Sequence, residues 1–443
     1  MKVIRALYLN SRLFVALGAV VAAFLVTYVA ETPVIVPQIL FLVLVAFVAT
    51  DILLLFRIAN GIKGARSAPE KLSNGDENEI RILLENTYPF TITLTVIDEI
   101  PHQFQKRDLN FTLNLDARQS KVIQYFLRPV KRGEYSFGAV NIYARSPIGL
   151  FSKRFRYSQD ALAPVYPSFI QMRKYELMAI SNRLVDSGIK KIRRIGHNLE
   201  FELIKEYVSG DDFRTINWQA TARKNNLMVN HYQDERSQQV YCLIDKGRVM
   251  QMPFKGMSLL DYAINASLAI ANIAMRKSDK AGLITFQDTI GTTLPANRQS
   301  KQMARIMEVL YNQKTAFRES DFSVLHNHVK RKITQRSLLL LFTNFESIYG
   351  LQRQLPYLKS LANQHLLVVI FFENTEMRSL LEEPANDVRQ VYHKAIAEKF
   401  SFDKKLIVKE LNRHGIQALL TAPENLTIDT INKYLELKAR GLI

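Results

Sequence analysis

The sequence predicts a multidomain chain: a two-helix transmembrane hairpin, an antiparallel β-sandwich and a C-terminal doubly wound α/β domain. Three observations lead there. Two long apolar runs stand near the amino terminus, short runs of alternating polarity follow, and strand-like and helix-like patterns alternate from Val240 onward. At 443 residues the chain is too long for one ordinary core. The expected boundaries are 1–60 for the hairpin, 67–167 for the sandwich, 168–236 for a segment of irregular motifs and 237–443 for the α/β domain.

The hairpin comes first. Leu13 to Ala30 is an uncharged apolar run, and Val34 to Phe56 is a second, broken only by Pro37, Gln38 and Asp51. A spanning helix needs about 20 apolar residues, so both runs are candidates. A cleaved signal peptide competes for the first, but its apolar core is usually only about 7–15 residues long. Tyr28 is also bulky where a small residue should precede a cut at Ala30. Lys2, Arg5 and Arg12 precede the first run, Arg57, Lys63 and Arg66 follow the second, and the connection Glu31-Thr32-Pro33 carries no Lys or Arg. The positive-inside rule then puts both ends of the hairpin, and the soluble domains, on the cytoplasmic side of the membrane. Asp51 is expected to reach the membrane interface rather than to serve a proton relay.

Between residues 67 and 167 the runs Glu79–Leu84, Thr91–Ile97, Leu109–Leu115 and Val122–Leu127 alternate in polarity and are separated by polar turns. Such spacing suits an antiparallel sandwich. No catalytic constellation appears there, and His102 stands alone beside Pro101.

The next stretch, Asn198 to Asp245, is the most distinctive. Phe201, Leu203 and Tyr207 alternate with Glu202 and Glu206 as in a half-buried strand. Gly210-Asp211-Asp212 is a turn signal, and either aspartate could cap a short helix carrying Arg214, Ile216 and Trp218. Asn225-Asn226 breaks that helix, and Leu227 to Tyr232 reads as a second strand. Trp218 and Ile216 are expected to be buried as a brace. Arg214 and Arg223 either pair with Asp211, Asp212 or Glu206, or offer a guanidinium to an acidic partner.

Tyr207, Gly210, Asp211, Arg214, Ile216, Trp218, Ala222 and Arg223 together resemble the motif run of the bacterial domain-of-unknown-function-58 (DUF58) proteins. Lys205, Asn217 and Thr221 stand where that family has Arg, Asp and Ser. By domain order the resemblance covers nearly the whole chain. It implies a non-enzymatic, membrane-anchored adaptor working with a MoxR-type AAA+ ATPase in chaperone-like or cell-envelope functions.

From Val240 the strand-like runs are Tyr241–Ile244, Gly282–Phe286, Leu338–Phe342, Leu366–Phe372 and Ile416–Leu420. Helical patterns lie between them at Ser258–Arg276, Lys301–Tyr311, Gly350–Asn363 and Val388–Phe400, with Thr427–Arg440 last. Alternation of this kind makes a parallel sheet covered on both faces. Together with the resemblance, it implies a von Willebrand factor A-type domain. In such domains a divalent cation often sits at the carboxyl edge of the sheet, held by Asp-x-Ser-x-Ser, a threonine and a second aspartate. Here Asp245 keeps the first carboxylate, Gly247 and Val249 replace the hydroxyls, and Asn344 replaces the second acid. The expectation is a degenerate ion site without Mg²⁺, with Asp245 capping its own loop or pairing with Lys246 or Arg248. The competing reading is a divalent-metal-dependent binding module or enzyme using this same edge.

Composition narrows the classes further. Hydrophobic content of 48% and charged content of 23% are those of a folded protein. The single cysteine, Cys242, rules out an internal disulfide framework and a four-cysteine zinc site, and is read as a buried structural thiol. The net charge of +18 invites a nucleic-acid reading. Its basic residues are scattered, however, with Lys190-Lys191-Ile192-Arg193-Arg194 the one dense cluster, and no nucleic-acid-binding signature surrounds it. No Walker loop, His-Glu-x-x-His or Gly-x-Ser-x-Gly is present. His326 and His328 are two apart and face away from each other on a helix. No cofactor is expected.

Overall fold

The computed structural model describes the chain apart from residues 1–5, 32, 107–108, 159–160, 181–198, 209–212, 214–215, 225, 235–236, 316, 383–386 and 443. The chain is multidomain and mixed α/β, and divides into two compact units, Met1–Tyr166 and Pro167–Ile443. The Lys190–Arg194 cluster lies outside the described residues.

The first unit opens with strand β1 (Leu7–Leu9) and two apolar helices, α1 (Ser11–Val29) and α2 (Ile35–Phe56). They are 19 and 22 residues long, enough to cross a membrane by length and composition, and leave most side chains uncovered by protein. This is compatible with membrane anchoring. Ten more strands follow: β2 (Ile62–Ser67), β3 (Leu72–Ser73), β4 (Asn78–Asn86), β5 (Ile92–Asp98), β6 (Asn110–Leu115), β7 (Ser120–Leu127), β8 (Gly133–Phe137), β9 (Val140–Arg145), β10 (Phe151–Tyr157) and β11 (Ala161–Tyr166). They form sheets in the orders β1-β10-β9-β5-β6, β2-β4-β7 and β3-β11-β8, with every pairing antiparallel except β3 with β11. Alternation explains why these runs become strands. Ile80, Ile82 and Leu84 of β4 and Ile92, Leu94 and Val96 of β5 enter one shared core, while their neighbours face outward.

Asp51 departs from expectation. It is fully buried under protein, where its carboxylate accepts from Ser146 Oγ and from the backbone N–H groups of Leu150 and Phe151 at 2.8 and 2.9 Å. The end of α2 is held as firmly. Lys153 Nζ donates to the carbonyls of Leu55, Ile58 and Ala59 at 3.1, 2.8 and 3.2 Å, and Tyr88 Oη donates to Leu55 at 2.7 Å. A helix C-terminus leaves carbonyls without intrahelical partners, so a lysine and a phenol there meet a real need. Gly61 makes room, since a Cβ at this position would meet the Tyr88 ring at 2.0 Å.

In the second unit, α3 (Phe169–Ile180) precedes an antiparallel pair, β12 (Leu199–Glu206) and β13 (Met228–Asp234), with α4 (Trp218–Lys224) between them. The α/β part then runs β14 (Gln239–Asp245), β15 (Pro253–Phe254), β16 (Met257–Ser258), α5 (Leu259–Arg276), β17 (Lys280–Phe286), β18 (Ile290–Asn297), α6 (Gln302–Tyr311), α7 (Phe322–Lys332), β19 (Leu338–Phe342), α8 (Ile348–Gln364), β20 (Leu366–Phe372), α9 (Thr375–Glu382), α10 (Val388–Arg413), β21 (Gln417–Thr421) and α11 (Leu426–Ala439). The sheet order is β18-β17-β14-β19-β20-β21, parallel except for the β17–β18 edge pair. Both faces are covered. Val240, Cys242 and Ile244 of β14 pack with α5, α6 and α11, whereas Tyr241 and Leu243 pack with α7, α8 and α10.

Removing the Asp51 acceptor tests the clamp on α2. Asp51→Ala strands one hydroxyl and two backbone N–H donors, and an unsatisfied buried group costs roughly 1–3 kcal/mol. The detergent-solubilised chain should then lose several degrees of melting temperature, with Asp51→Asn losing less. A melt of Asp51→Ala superimposable on wild type would overturn this role.

Candidate functional site

Asp245 ends β14, the central strand from which the chain first builds β17 and β18 on one side and then β19, β20 and β21 on the other. Ligands of open α/β sheets bind outside the carboxyl ends of strands at such a reversal. The Asp245 carboxylate is fully buried. Its Oδ1 accepts from the Gly247 N–H at 2.8 Å and from Ser320 Oγ, and its Oδ2 accepts from Thr343 Oγ1 at 2.6 Å. Burial raises its pKa, while the Ser320 and Thr343 hydroxyls and the Gly247 N–H oppose that shift. Lys246 and Arg248 form no ion pair with it among the described residues.

Ser320 is the residue that inspection of the local motif misses. It lies 75 positions after Asp245 and brings the hydroxyl that positions 247 and 249 lack. Gly247 is the reason it fits, because a Cβ there would stand 2.0 Å from Ser320 Oγ. A cleft of about 150 Å³ opens beside this cluster, lined also by Glu319, Asn344, Glu346 and Arg353.

These donors do not fit a divalent ion well. Mg²⁺ requires near-octahedral oxygen ligation and gives up its water reluctantly. Asp245 is one carboxylate with both oxygens already accepting. Asn344 Oδ1 accepts from the Lys404 ammonium at 2.5 Å, so a cation there would have to displace a like charge. Among the described residues no cluster of three or more His, Cys, Asp or Glu side chains could hold a metal.

The hairpin segment holds the other expected residues. Gly210, Asp211 and Arg214 lie outside the described residues. The helix begins at Trp218 and carries Ala222 and Arg223, with Ile216 before its start. Asn217 sets that start, its Oδ1 accepting from the Ala220 N–H at 3.0 Å in the manner of an N-cap. Ile216 is half-buried and bridges Val229. Tyr207 is half-buried, its ring 5.5 Å from that of Phe213. The brace expected of Trp218 is not there. Its side chain is 70% exposed, beside Phe213 at 71% and Val208 at 63%, and Arg223 is exposed as well. The indole faces solvent because α4 is tied to β13 by its backbone and by Thr221, whose Oγ1 accepts from the Met228 N–H at 3.0 Å. Arg223 forms no ion pair among the described residues.

A mixed α/β unit with a buried aspartate at its sheet edge, preceded by a hairpin with an exposed tryptophan, is thus the class of protein defined. Residues 204–382 match the family model described as "Protein of unknown function DUF58". The chain is 25% identical over 190 residues to the uncharacterized protein YeaD of Bacillus subtilis (strain 168), a match covering 40% of this chain and 45% of that relative. The chain therefore spans under half the length of the curated relative it matches. Among solved structures, the conserved hypothetical protein BatB from Bacteroides thetaiotaomicron is matched over 46% of this chain and all of that one, at 14% identity and a TM-score of 0.33. The ASH/PapD-like domain of human CEP192 is matched over 25% of this chain and 87% of that one, at 11% identity and a TM-score of 0.19. Both scores are too low for a shared fold to follow.

The raised pKa of Asp245 has a defined consequence. A carboxyl whose folded value lies above its unfolded value of about 3.9 stabilises the fold most below that value, and this contribution is lost as pH rises through the folded value. The melting temperature of wild type relative to Asp245→Asn should therefore fall as pH is raised from about 4 upward; a constant difference would refute the shift. Melts in Mg²⁺ and in EDTA should coincide. An ion present at a hundred times its dissociation constant would add about 2.7 kcal/mol, a clear rise in melting temperature.

Proposed function

We propose that this chain is a non-enzymatic, membrane-anchored adaptor of DUF58 type that works with a MoxR-type AAA+ ATPase in chaperone-like or cell-envelope functions. In this reading the strand-rich unit is a β-sandwich and the α/β unit a von Willebrand factor A-like domain. The hairpin α1–α2 holds both in the cytoplasm at the inner membrane, and no nucleic acid is involved.

One observation carries the reading: the hairpin segment that bears the family motif turns Trp218 and its neighbours in sequence outward. Trp218, Phe213 and Val208 are each more than 60% exposed, within a stretch of eleven residues, while the sheet of the same unit buries its apolar side chains in two dense cores. Trp and Arg are the residues most often found to dominate binding at protein interfaces. Arg223 and Lys224, both exposed at the end of α4, add positive charge suited to carboxylates. An acidic, aromatic-accepting face on the ATPase is the occupant this surface fits.

The test is affinity purification of the tagged full-length chain from its native membrane, with AAA+ ATPases identified by mass spectrometry. Trp218→Ala and Arg223→Glu should each lose the ATPase. Their melting temperatures should stay within about a degree of wild type, because exposed substitutions usually change stability by less than about 0.5 kcal/mol. Undiminished recovery of the ATPase by both variants would sink the proposal; a fall in melting temperature that parallels the lost recovery would return both residues to a bracing role. Topology is checked separately. Reporters fused after Gly61 should register as cytoplasmic, and a periplasmic signal would remove the contact with a cytoplasmic ATPase.

A further inference from the structure

A second cavity, of about 270 Å³, lies in the α/β unit beyond the carboxyl ends of β20 and β21, with residues of α9 and α10 among its walls. Its walls are mainly apolar, with Phe254, Leu259, Phe372, Met377, Phe400 and Leu420 among them. At one side stands Lys404 of α10. Its ammonium, which has three N–H donors, makes one hydrogen bond, to Asn344 Oδ1 at 2.5 Å, and lies 5.5 Å from the centre of the Phe371 ring. No carboxylate among the described residues pairs with it. A half-buried ammonium at the side of an apolar cavity suits the charged head of an anion whose chain the walls would cover. Apolar pockets with a few converging polar groups are where small ligands bind.

We propose that this cavity binds an aliphatic monocarboxylate, its hydrocarbon chain against the Phe, Met and Leu walls and its carboxylate accepting from Lys404. Chain and head follow from separate observations, the first from the lining and the second from the ammonium. The restriction to one negative charge has its own cause. Among the described residues, Glu346 beyond β19, Glu373 beyond β20 and Glu376 on α9 also line the cavity, and Lys405 on α10 is the further cation there. A phosphate or dicarboxylate would bring a second charge among three carboxylates; a single carboxylate is matched by Lys404. Nothing in this site depends on the aromatic hairpin or on an ATPase.

Burial lowers the Lys404 amine to about 8, with the Glu346 carboxylate acting in the opposite sense. An anion favours the charged amine, so binding takes up a proton above that value and weakens as pH rises through it. Among the described residues, Glu346, Glu373, Glu376 and Lys405 are the charged groups that line the cavity with Lys404, alongside Asn344.

The experiment is calorimetric titration of octanoate into the full-length chain held in nanodiscs, with empty nanodiscs subtracted. Saturable one-site binding is expected at pH 7, at least tenfold weaker at pH 9. Octanamide, which keeps the chain but not the charge, should bind at least tenfold more weakly to unmodified protein, a comparison that needs no variant. Lys404→Met should abolish octanoate binding and Lys404→Arg should retain it. Equal affinity for octanoate and octanamide, undiminished binding by Lys404→Met, or heat that only tracks partition into the discs would each overturn the proposal.

Discussion

Buried carboxylates organise both units, because each must be met by donors from separate parts of the chain. A carboxylate taken out of water is tolerated only when hydrogen bonds replace its hydration. Asp51 draws the turn at 146–151 onto α2, and Asp98 joins β5 to β2 and β7 through Arg66 at 2.6 Å and the Tyr125 hydroxyl. Asp245 gathers the end of β14, the Ser320 loop and the end of β19. Asp279 accepts from the Gln238 N–H at 3.1 Å, Tyr434 Oη at 2.5 Å and Lys438 Nζ at 2.9 Å, which ties α11 back to the start of the sheet. Hydrophobic burial supplies most of the stability in such cores. It is non-directional, however, and these contacts fix which elements meet.

That distinction explains which features were legible in the sequence. The strands of the α/β unit are continuous runs of Leu, Val, Ile and Phe because both sheet faces are covered, and such runs stand out by composition alone. Helix α5 likewise shows its buried stripe, and Ser258 caps it by accepting from the Asp261 N–H. The edge strand β18 was not anticipated. Its residues, Ile290 to Asn297, are mostly half-exposed and include Pro295, so they carry no apolar run. Helix α10 runs thirteen residues past Phe400, where the notably polar sequence FDKKLIVKEL hides its buried positions Ile407 and Leu411.

The sites were less legible than the fold, for reasons of distance and context. Ser320 could not be assigned to Asp245 from spacing, since the loop that carries it is placed by α7 and the β17–β18 pair. The glycine at 247 looked like a lost ligand; in the structure it is the space that Ser320 occupies. Trp218 was misplaced for a different reason. A lone tryptophan between a turn and a strand usually adds to a core, but α4 is held through Asn217, Thr221 and backbone contacts that leave the indole unused. Residues that look structural by type can thus be left outside the core when capping and strand pairing have already fixed the segment.

Asn344 shows how one amide can set the chemistry of two neighbouring cavities. An aspartate at this position would pair with Lys404 and bury the ion pair within the protein, at a desolvation cost offset by the attraction of the two charges. The amide keeps the hydrogen bond through Oδ1 and leaves the positive charge uncompensated by its nearest neighbour. On the Asp245 side this removes a ligand that a divalent cation needs and sets an ammonium against it. On the α10 side it leaves a cation at the edge of an apolar cavity, where water competes weakly for its donors. Asn344 therefore borders both clefts, and as an amide it orients the Lys404 ammonium without neutralising it.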